Sequence, residues 1–132
     1  LVVSFSDLAT EEQKKEAADH GDIQHAWQAY LESLPHDRHR LLKRYHITDA
    51  AMRVGGVGSV GTRCMIALFE SEKPEDALIL QQKEADHSAL EPYLSKQEFD
   101  SQAQRVVIGQ RLMQASSDIF LGWDEARTGT QY

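Results

Sequence analysis

The chain has 132 residues, the size of one ordinary domain, of which 41% are hydrophobic and 27% are charged. This composition excludes a disordered chain, because enough apolar surface is present to form a core. The formal net charge of −7 at pH 7 argues against nucleic acid or an anionic membrane as a partner, because their phosphates repel an acidic protein.

The cysteine and histidine content bears on compartment and metal binding. The single cysteine, Cys64, lies in an apolar run and has no internal disulfide partner, which is typical of a reducing compartment. No run approaches the ~20 apolar residues that span a bilayer, and the start lacks the order of a signal peptide. The six histidines are scattered without the spacing of metal ligands. We therefore predict a soluble, cytoplasmic protein without a metal site.

The first 48 residues predict a helical segment. Thr10 and Gln13 form a capping-box pattern for a charged helix that Gly21 ends, and Asp22 can cap a second helix that ends before Pro35. Residues 36–46 predict a short, basic third helix. The apolar side chains expected to pack from the second and third helices are Trp27, Tyr30, Leu31, Leu34, Leu41, Leu42 and Tyr45.

Residues 49–132 predict a second segment that contains a sheet and a long helix. A strand from Met52, a glycine cluster, a strand over Cys64–Phe69 and a strand over Ala77–Lys83 form an antiparallel meander. A short helical piece over His87–Leu94 and a helix over Gln97–Ser117 follow. The inner face of that helix is predicted to hold Phe99, Ala103, Val106, Val107 and Met113.

The end of the chain predicts a fourth strand, Ile119–Trp123, and a hairpin loop, Asp124–Thr130. A strand that opens a hairpin without a return partner indicates a fragment of a larger protein. Position 1 is Leu rather than Met, which indicates that residues are also missing upstream. The predicted fold is therefore α+β, with N-terminal helices followed by an antiparallel sheet and a long packed helix.

The glycine cluster is the strongest functional motif. Gly56-Val57-Gly58-Ser59-Val60-Gly61 is a complete G-x-G-x-x-G sequence, which by itself is weak evidence. A dinucleotide-binding Rossmann unit would start a helix at the third glycine, whereas a strand is predicted here. A Walker A loop would end in Gly-Lys-Ser/Thr, but Thr62 and Arg63 follow Gly61. Strand, glycine loop and strand is the arrangement with which protein kinases cover the phosphates of ATP.

A lysine on the next strand is the second requirement of that arrangement. Lys83 follows Gly61 by 22 residues, near the end of the third predicted strand. A carboxylate should pair with this lysine. Glu84, Glu91 and Glu98 are candidates, and we select Glu91. An ordinary strand-end charge at Lys83 and a solvent-exposed role for Glu91 remain the alternatives.

Several blocks of sequence resemble a known family. They are Val57–Cys64, Gln82–Ala85, Leu90–Tyr93, Gln104–Val107, Gly109–Gln114 and Ser117–Trp123. Together they are similar to a large bacterial family of uncharacterised proteins, grouped distantly with the protein-kinase-like and aminoglycoside-phosphotransferase-like superfamily. The resemblance implies a kinase-like N-lobe that holds ATP with Mg²⁺. It also implies a second lobe, outside this chain, that carries the catalytic acids.

The resemblance also singles out arginines. Arg105 and Arg111 belong to the matching blocks, and together with Arg63 they are expected to contact phosphate or the missing lobe. Ile108 stands where the family often has a polar residue in the helix. A lobe severed from its partner exposes apolar surface and could form a homodimer through it.

Three functions are compatible with these residues. The first is the ATP-binding lobe of a phosphotransferase, without catalytic residues of its own. The second is a non-enzymatic binding or regulatory module in which the glycine loop is only a tight hairpin, and the third is a pseudokinase that binds nucleotide without phosphate transfer. In the first case, the nucleotide-binding residues are Gly56, Val57, Gly58, Ser59, Val60, Gly61 and Lys83.

Overall fold

The computed structural model describes residues 2–4, 20–53, 61–73, 75–94 and 98–132. Within these ranges the fold is α+β, as predicted, with helices packed against an antiparallel sheet. The elements in chain order are β1 (Val2–Ser4), α1 (His20–Ser33), α2 (His36–Leu42), β2 (His46–Arg53), β3 (Cys64–Glu70), β4 (Ala77–Lys83), a 3-10 helix (Glu91–Tyr93) and α3 (Gln102–Met113).

The four described strands form one sheet in the order β1-β2-β3-β4, and each neighbouring pair is antiparallel. The predicted meander through β2, β3 and β4 is confirmed. However, β2 begins at His46, six residues before the predicted start at Met52. The register shifts between Ile47 and Asp49, and this irregularity breaks the alternation by which a strand is recognised in sequence.

The strand register divides the side chains of β3 and β4 between two faces, because side chains alternate along a strand and paired residues share a face. One face, which we call the helix face, holds Met65, Ala67, Phe69, Leu78, Leu80 and Gln82. The opposite face, which we call the lysine face, holds Cys64, Ile66, Leu68, Ile79, Gln81 and Lys83.

The core lies between the helix face and the two N-terminal helices. Leu31, Leu34 and Leu42 form its buried centre, as the spacing of apolar residues predicted. The Trp27 ring stacks on the Phe69 ring with 4.6 Å between centroids, which joins α1 to β3. The helices therefore share one core with the sheet. The predicted boundary between the segments 1–48 and 49–132 falls inside β2.

Some helix boundaries differ from the prediction. α1 includes Gly21, which was expected to end a helix, while the capping pattern of Thr10 and Gln13 lies outside the described residues. α2 ends at Leu42 rather than at residue 46, because Tyr45 N–H donates to the Leu42 carbonyl in a turn that leads into β2.

α3 is shorter than the predicted helix. It begins after Ser101, whose hydroxyl accepts from Gln104 N–H at 3.0 Å as an N-cap. Ala103 and Val107 are buried as predicted, but Met113 is 87% exposed.

The predicted strand over Ile119–Trp123 is wrong. Helix side chains satisfy the backbone of this segment instead of a neighbouring strand: Tyr30 Oη donates to the Phe120 carbonyl at 2.6 Å, and Trp123 N–H donates to Ser33 Oγ at 2.9 Å. The hairpin that follows also has its return segment. Asp124 and Tyr132 exchange two backbone hydrogen bonds, of 2.9 and 3.0 Å, so residues 124–132 form a closed hairpin.

Candidate functional site

The position of Lys83 follows from the β3–β4 register. Lys83 is the last residue of β4 and pairs with Cys64, the first residue of β3. Two hydrogen bonds continue the pairing beyond Lys83: Glu84 N–H donates to the Arg63 carbonyl at 2.9 Å, and Arg63 N–H donates to the Glu84 side-chain Oε2 at 2.8 Å. Lys83 therefore lies at the end of the sheet where the glycine cluster joins β3.

Most of the glycine motif lies outside the described residues, which include only Gly61 of the six positions. Those not described are Gly56, Val57, Gly58, Ser59 and Val60. Gly61 has φ +89°, a left-handed conformation that side-chain-bearing residues rarely adopt, and no atom of a described neighbour lies within 4 Å of where its Cβ would be. A strand begins three residues later, at Cys64, which agrees with the predicted strand and excludes the helix that a Rossmann unit requires.

Lys83 is exposed on the lysine face. Within the described part of the chain, no carboxylate lies within 4.0 Å of its ammonium group. An exposed ammonium group can donate hydrogen bonds to phosphate oxygens, so the position is compatible with phosphate binding.

Glu91 is not paired with Lys83 in this conformation. Its Oε2 lies 2.9 Å from His87 Nδ1 and accepts from Gln102 Nε2 at 3.4 Å. Glu91 is therefore part of a polar network at the start of α3. Its pairing with Lys83 stays a prediction. That pairing would require a different arrangement of the segment between β4 and α3.

The three predicted arginines make other contacts. Arg105 Nε donates to Gln102 Oε1 at 2.7 Å, and its guanidinium also donates to the Asp86 carbonyl at 3.0 Å. Arg111 donates to the Leu121 carbonyl and lies 5.7 Å from the centre of the Trp123 ring. The backbone of Arg63 extends the β3–β4 ladder. Arg105 and Arg111 thus fasten α3 to neighbouring segments, and their proposed contacts with phosphate or a second lobe stay predictions.

A cleft of about 610 Å³ lies among the described residues. Its walls are the segment that leaves β4, the start of α3 and the hairpin at residues 128–131. The acidic side chains among its lining residues are Glu84, Asp86, Glu91 and Asp100. Because these carboxylates repel phosphate, the cleft is a poor place for a nucleotide, and Lys83 does not line it.

Sequence reasoning missed Asp124. Its side chain is 8% exposed, and both carboxylate oxygens accept from Gln82 Nε2, at 3.2 and 2.9 Å. Burial raises the pKa of Asp124 to about 7, although the Gln82 hydrogen bond acts in the opposite direction. The signal in the sequence was Gln82, a polar residue that follows Leu78 and Leu80 on the helix face and needs a buried partner.

Two further observations concern metal binding and membrane spans. No group of three or more His, Cys, Asp or Glu residues among them is arranged to hold a metal ion. None of the described helices has the length and apolar character to cross a membrane.

Comparison with known proteins identifies one family. Residues 3–132 match a family described as an uncharacterized protein conserved in bacteria. No curated protein and no solved structure gave a match.

Proposed function

We propose that this chain, which belongs to the bacterial family DUF2252, is the ATP-binding lobe of a kinase-like phosphotransferase. The observation that carries the proposal is the pairing of Lys83 with Cys64, three residues after Gly61. This register brings an exposed ammonium group to the end of the sheet from which the glycine cluster extends.

The glycine loop would bind the phosphates through its backbone. Residues without Cβ allow N–H groups to approach phosphate oxygens closely. Gly61 fits this role, because glycine readily adopts its left-handed backbone and no atom of a described neighbour lies within 4 Å of where its Cβ would be. The other five positions of the motif complete the loop in the proposed arrangement.

Lys83 would hold the α- and β-phosphates from the adjoining strand. Its ammonium group would supply a positive charge and hydrogen-bond donors to the phosphate oxygens. When bound, ATP supplies the phosphoryl group and Mg²⁺ supplies charge neutralisation. The described residues offer no cluster of acids for that metal ion, so its protein ligands and the base that activates an acceptor would come from a second lobe.

A second candidate is a pseudokinase lobe that binds nucleotide without phosphate transfer. The contact of Glu91 with His87 favours it, because no carboxylate among the described residues then fixes the position of Lys83. In active kinases an ion pair between the corresponding lysine and a glutamate must be in place for phosphate transfer. The two candidates share the nucleotide site and differ in turnover of ATP by the full-length protein.

Calorimetric titration of the chain with ATP in the presence of Mg²⁺ tests the shared claim. We expect saturable binding that inorganic pyrophosphate weakens by competition, because both ligands would use the glycine loop and Lys83. Absence of binding at millimolar ATP would leave the non-enzymatic module as the better explanation.

A further inference from the structure

The described sheet has two edge strands, β1 and β4. β1 has only three residues, and so short an edge offers little backbone to a partner. β4 has seven residues, and its pairing with β3 runs without a shift of register. The edge of β4 is therefore the longer and more regular edge of the described sheet.

Two backbone hydrogen bonds show which groups of β4 point towards this edge. Just after the strand, Glu84 N–H donates to the Arg63 carbonyl, so the backbone of Glu84 faces β3. The next amide, that of Ala85, points away from β3 and donates to the Gln131 carbonyl. Backbone groups alternate in direction along an antiparallel strand. The residues of β4 whose N–H and C=O groups point away from β3 are therefore Ala77, Ile79, Gln81 and Lys83.

These outward groups are free for pairing with another strand. Within the part of the chain that the structure describes, none of them has a hydrogen-bond partner. Protein sheets block such edges with charges, proline or a bulge. β4 contains no proline, and its one charged residue, Lys83, stands at its end. Ile79, in the middle of the strand, is 68% exposed and adds apolar surface beside the edge.

We propose that β4 pairs with β4 of a second copy of this chain, antiparallel about a two-fold axis at Leu80, so that the two sheets join edge to edge. The pairing requires no nucleotide and goes beyond the proposed nucleotide site.

The strand is complementary to itself in this register. With Leu80 opposite Leu80 of the second copy, Ile79 lies opposite Gln81 and Ala77 lies opposite Lys83. Residues with outward groups thus meet one another, and each such pair can exchange two hydrogen bonds. A register shifted by one residue would set outward groups against groups that already bond to β3. The register centred on Leu80 also uses the full length of the strand.

The side chains and charges are compatible with this pairing. On the lysine face, Ile79 packs beside Gln81 of the second copy, which covers the exposed isoleucine. The two Lys83 side chains lie at opposite ends of the joint, about 20 Å apart along the strands. Each copy carries a net charge of −7, and salt at about 0.15 M screens the resulting repulsion beyond about 8 Å.

Sedimentation velocity of the 132-residue chain, in about 0.15 M salt, measures the association. Because the interface is small, we expect the change from monomer to dimer to fall between about 1 μM and about 1 mM protein. A chain that remains monomeric at about 1 mM would overturn the proposal.

Amide hydrogen exchange identifies the surface that associates. The amides of Leu78 and Leu80 face β3 and should be protected in monomer and dimer alike. The amides of Ile79 and Gln81 should exchange freely in the monomer and gain at least about tenfold protection at concentrations where the dimer forms. A dimer in which the amides of Ile79 and Gln81 stay unprotected would show that another surface associates, which would overturn the proposal.

A substitution on the edge tests the backbone contacts. Gln81→Pro removes an outward N–H and none that faces β3, so the sheet should form while the dimer weakens at least about tenfold. Gln81→Ala is the matched control. It also loses the contact of the Gln81 side chain with Cys64, but it keeps the N–H and should dimerise as wild type does. Equal dimer affinities of the two variants would contradict pairing through this edge.

A second substitution covers the case in which Gln81→Pro does not fold. Ile79→Lys is tolerated by the monomer because the position is exposed, but the two-fold axis brings the two lysines within about 7–8 Å of each other. We expect at least about tenfold weaker association. Ile119→Lys, at a position that is 51% exposed and outside the sheet, should dimerise as wild type does. Equal affinities of these two lysine variants would overturn the proposal.

Discussion

Tyr30 and Phe120 are joined by a 2.6 Å hydrogen bond from the tyrosine hydroxyl to the phenylalanine carbonyl, although they are 90 residues apart in sequence. The bond links α1 to the irregular segment that precedes the terminal hairpin. Ser33 reinforces it one turn along α1, where its hydroxyl accepts from Trp123 N–H. Side chains of α1 thus hold a segment whose sequence alone is typical of a strand.

Removal of the Tyr30 hydroxyl should destabilise the protein. Tyr30→Phe leaves the Phe120 carbonyl without its donor in a half-buried site, at a cost of about 1–2 kcal/mol in the free energy of unfolding. Tyr93→Phe is the control, because Tyr93 is 84% exposed and its substitution should change stability little. Urea denaturation measures both; equal effects would mean that the Tyr30–Phe120 bond does not stabilise the fold.

Gly122 should not tolerate a larger residue. A Cβ at this position would lie 2.6 Å from Ser33 Oγ and 2.8 Å from Tyr30 Cε2. Gly122→Ala should therefore lower the free energy of unfolding by roughly 1–3 kcal/mol through overpacking against α1.

Replacement of Gly109 should have the opposite effect on stability. The glycine lies inside α3, and no atom of a described neighbour would meet its Cβ within 4 Å. Gly109→Ala should raise the free energy of unfolding by about 0.5–1 kcal/mol, because alanine is the better helix former. Thermal unfolding of the two glycine variants should move in opposite directions; a stabilised Gly122→Ala would show that this segment does not pack on α1 as described.

Among the residues that the structure describes, Leu42 is the most deeply buried large side chain, with 0% exposure. Leu42→Ala should lower the free energy of unfolding by about 2–5 kcal/mol, since it removes apolar contacts and leaves a cavity between α2 and the sheet. Leu112→Ala, at a position that is 79% exposed, should have a much smaller effect. If urea denaturation gave similar losses in the free energy of unfolding for the two variants, the core as described would be contradicted.

The stability of the whole chain should depend on the ionisation of Asp124. Its pKa is raised to about 7 in the folded protein, so the stabilisation from protonation is present below pH 3.8 and is lost as pH rises through 7. Asp124→Asn should therefore be more stable than wild type by roughly 1–3 kcal/mol at pH 8, with the difference shrinking at pH 5. A difference that is the same at both pH values would contradict a raised pKa.

The regular parts of the fold could be predicted from sequence because their patterns are local. Leu31 and Leu34 lie on one side of α1, and the apolar run from Cys64 is too short for a typical helix. The segment Ile119–Trp123 could not be assigned in this way. Its apolar residues resemble a strand, but two of its backbone groups bond to the side chains of Tyr30 and Ser33, which are distant in sequence.

In the candidate site, too, local patterns predicted some features and could not predict others. Lys83 was placed on its strand by spacing from Gly61, and the register confirms the strand. The contact of Glu91 with His87 depends on how the segment between β4 and α3 folds, which no periodic pattern encodes. The raised pKa of Asp124 depends on its burial at the base of the hairpin, which sequence does not show. The one hint in the sequence was Gln82, a polar residue in an apolar series, which needs a buried partner.

The affinity for ATP of the Lys83→Ala variant tests the central claim most directly. Lys73→Ala is the matched control, because Lys73 is also exposed but lies in the turn at the far end of the β3–β4 pair. Calorimetry with Mg²⁺ present should show that Lys83→Ala binds ATP at least about tenfold more weakly than wild type, since a charge-assisted contact with phosphate is lost. Lys73→Ala should bind as wild type does. Equal affinity of the wild-type and Lys83→Ala proteins would contradict the proposed nucleotide site.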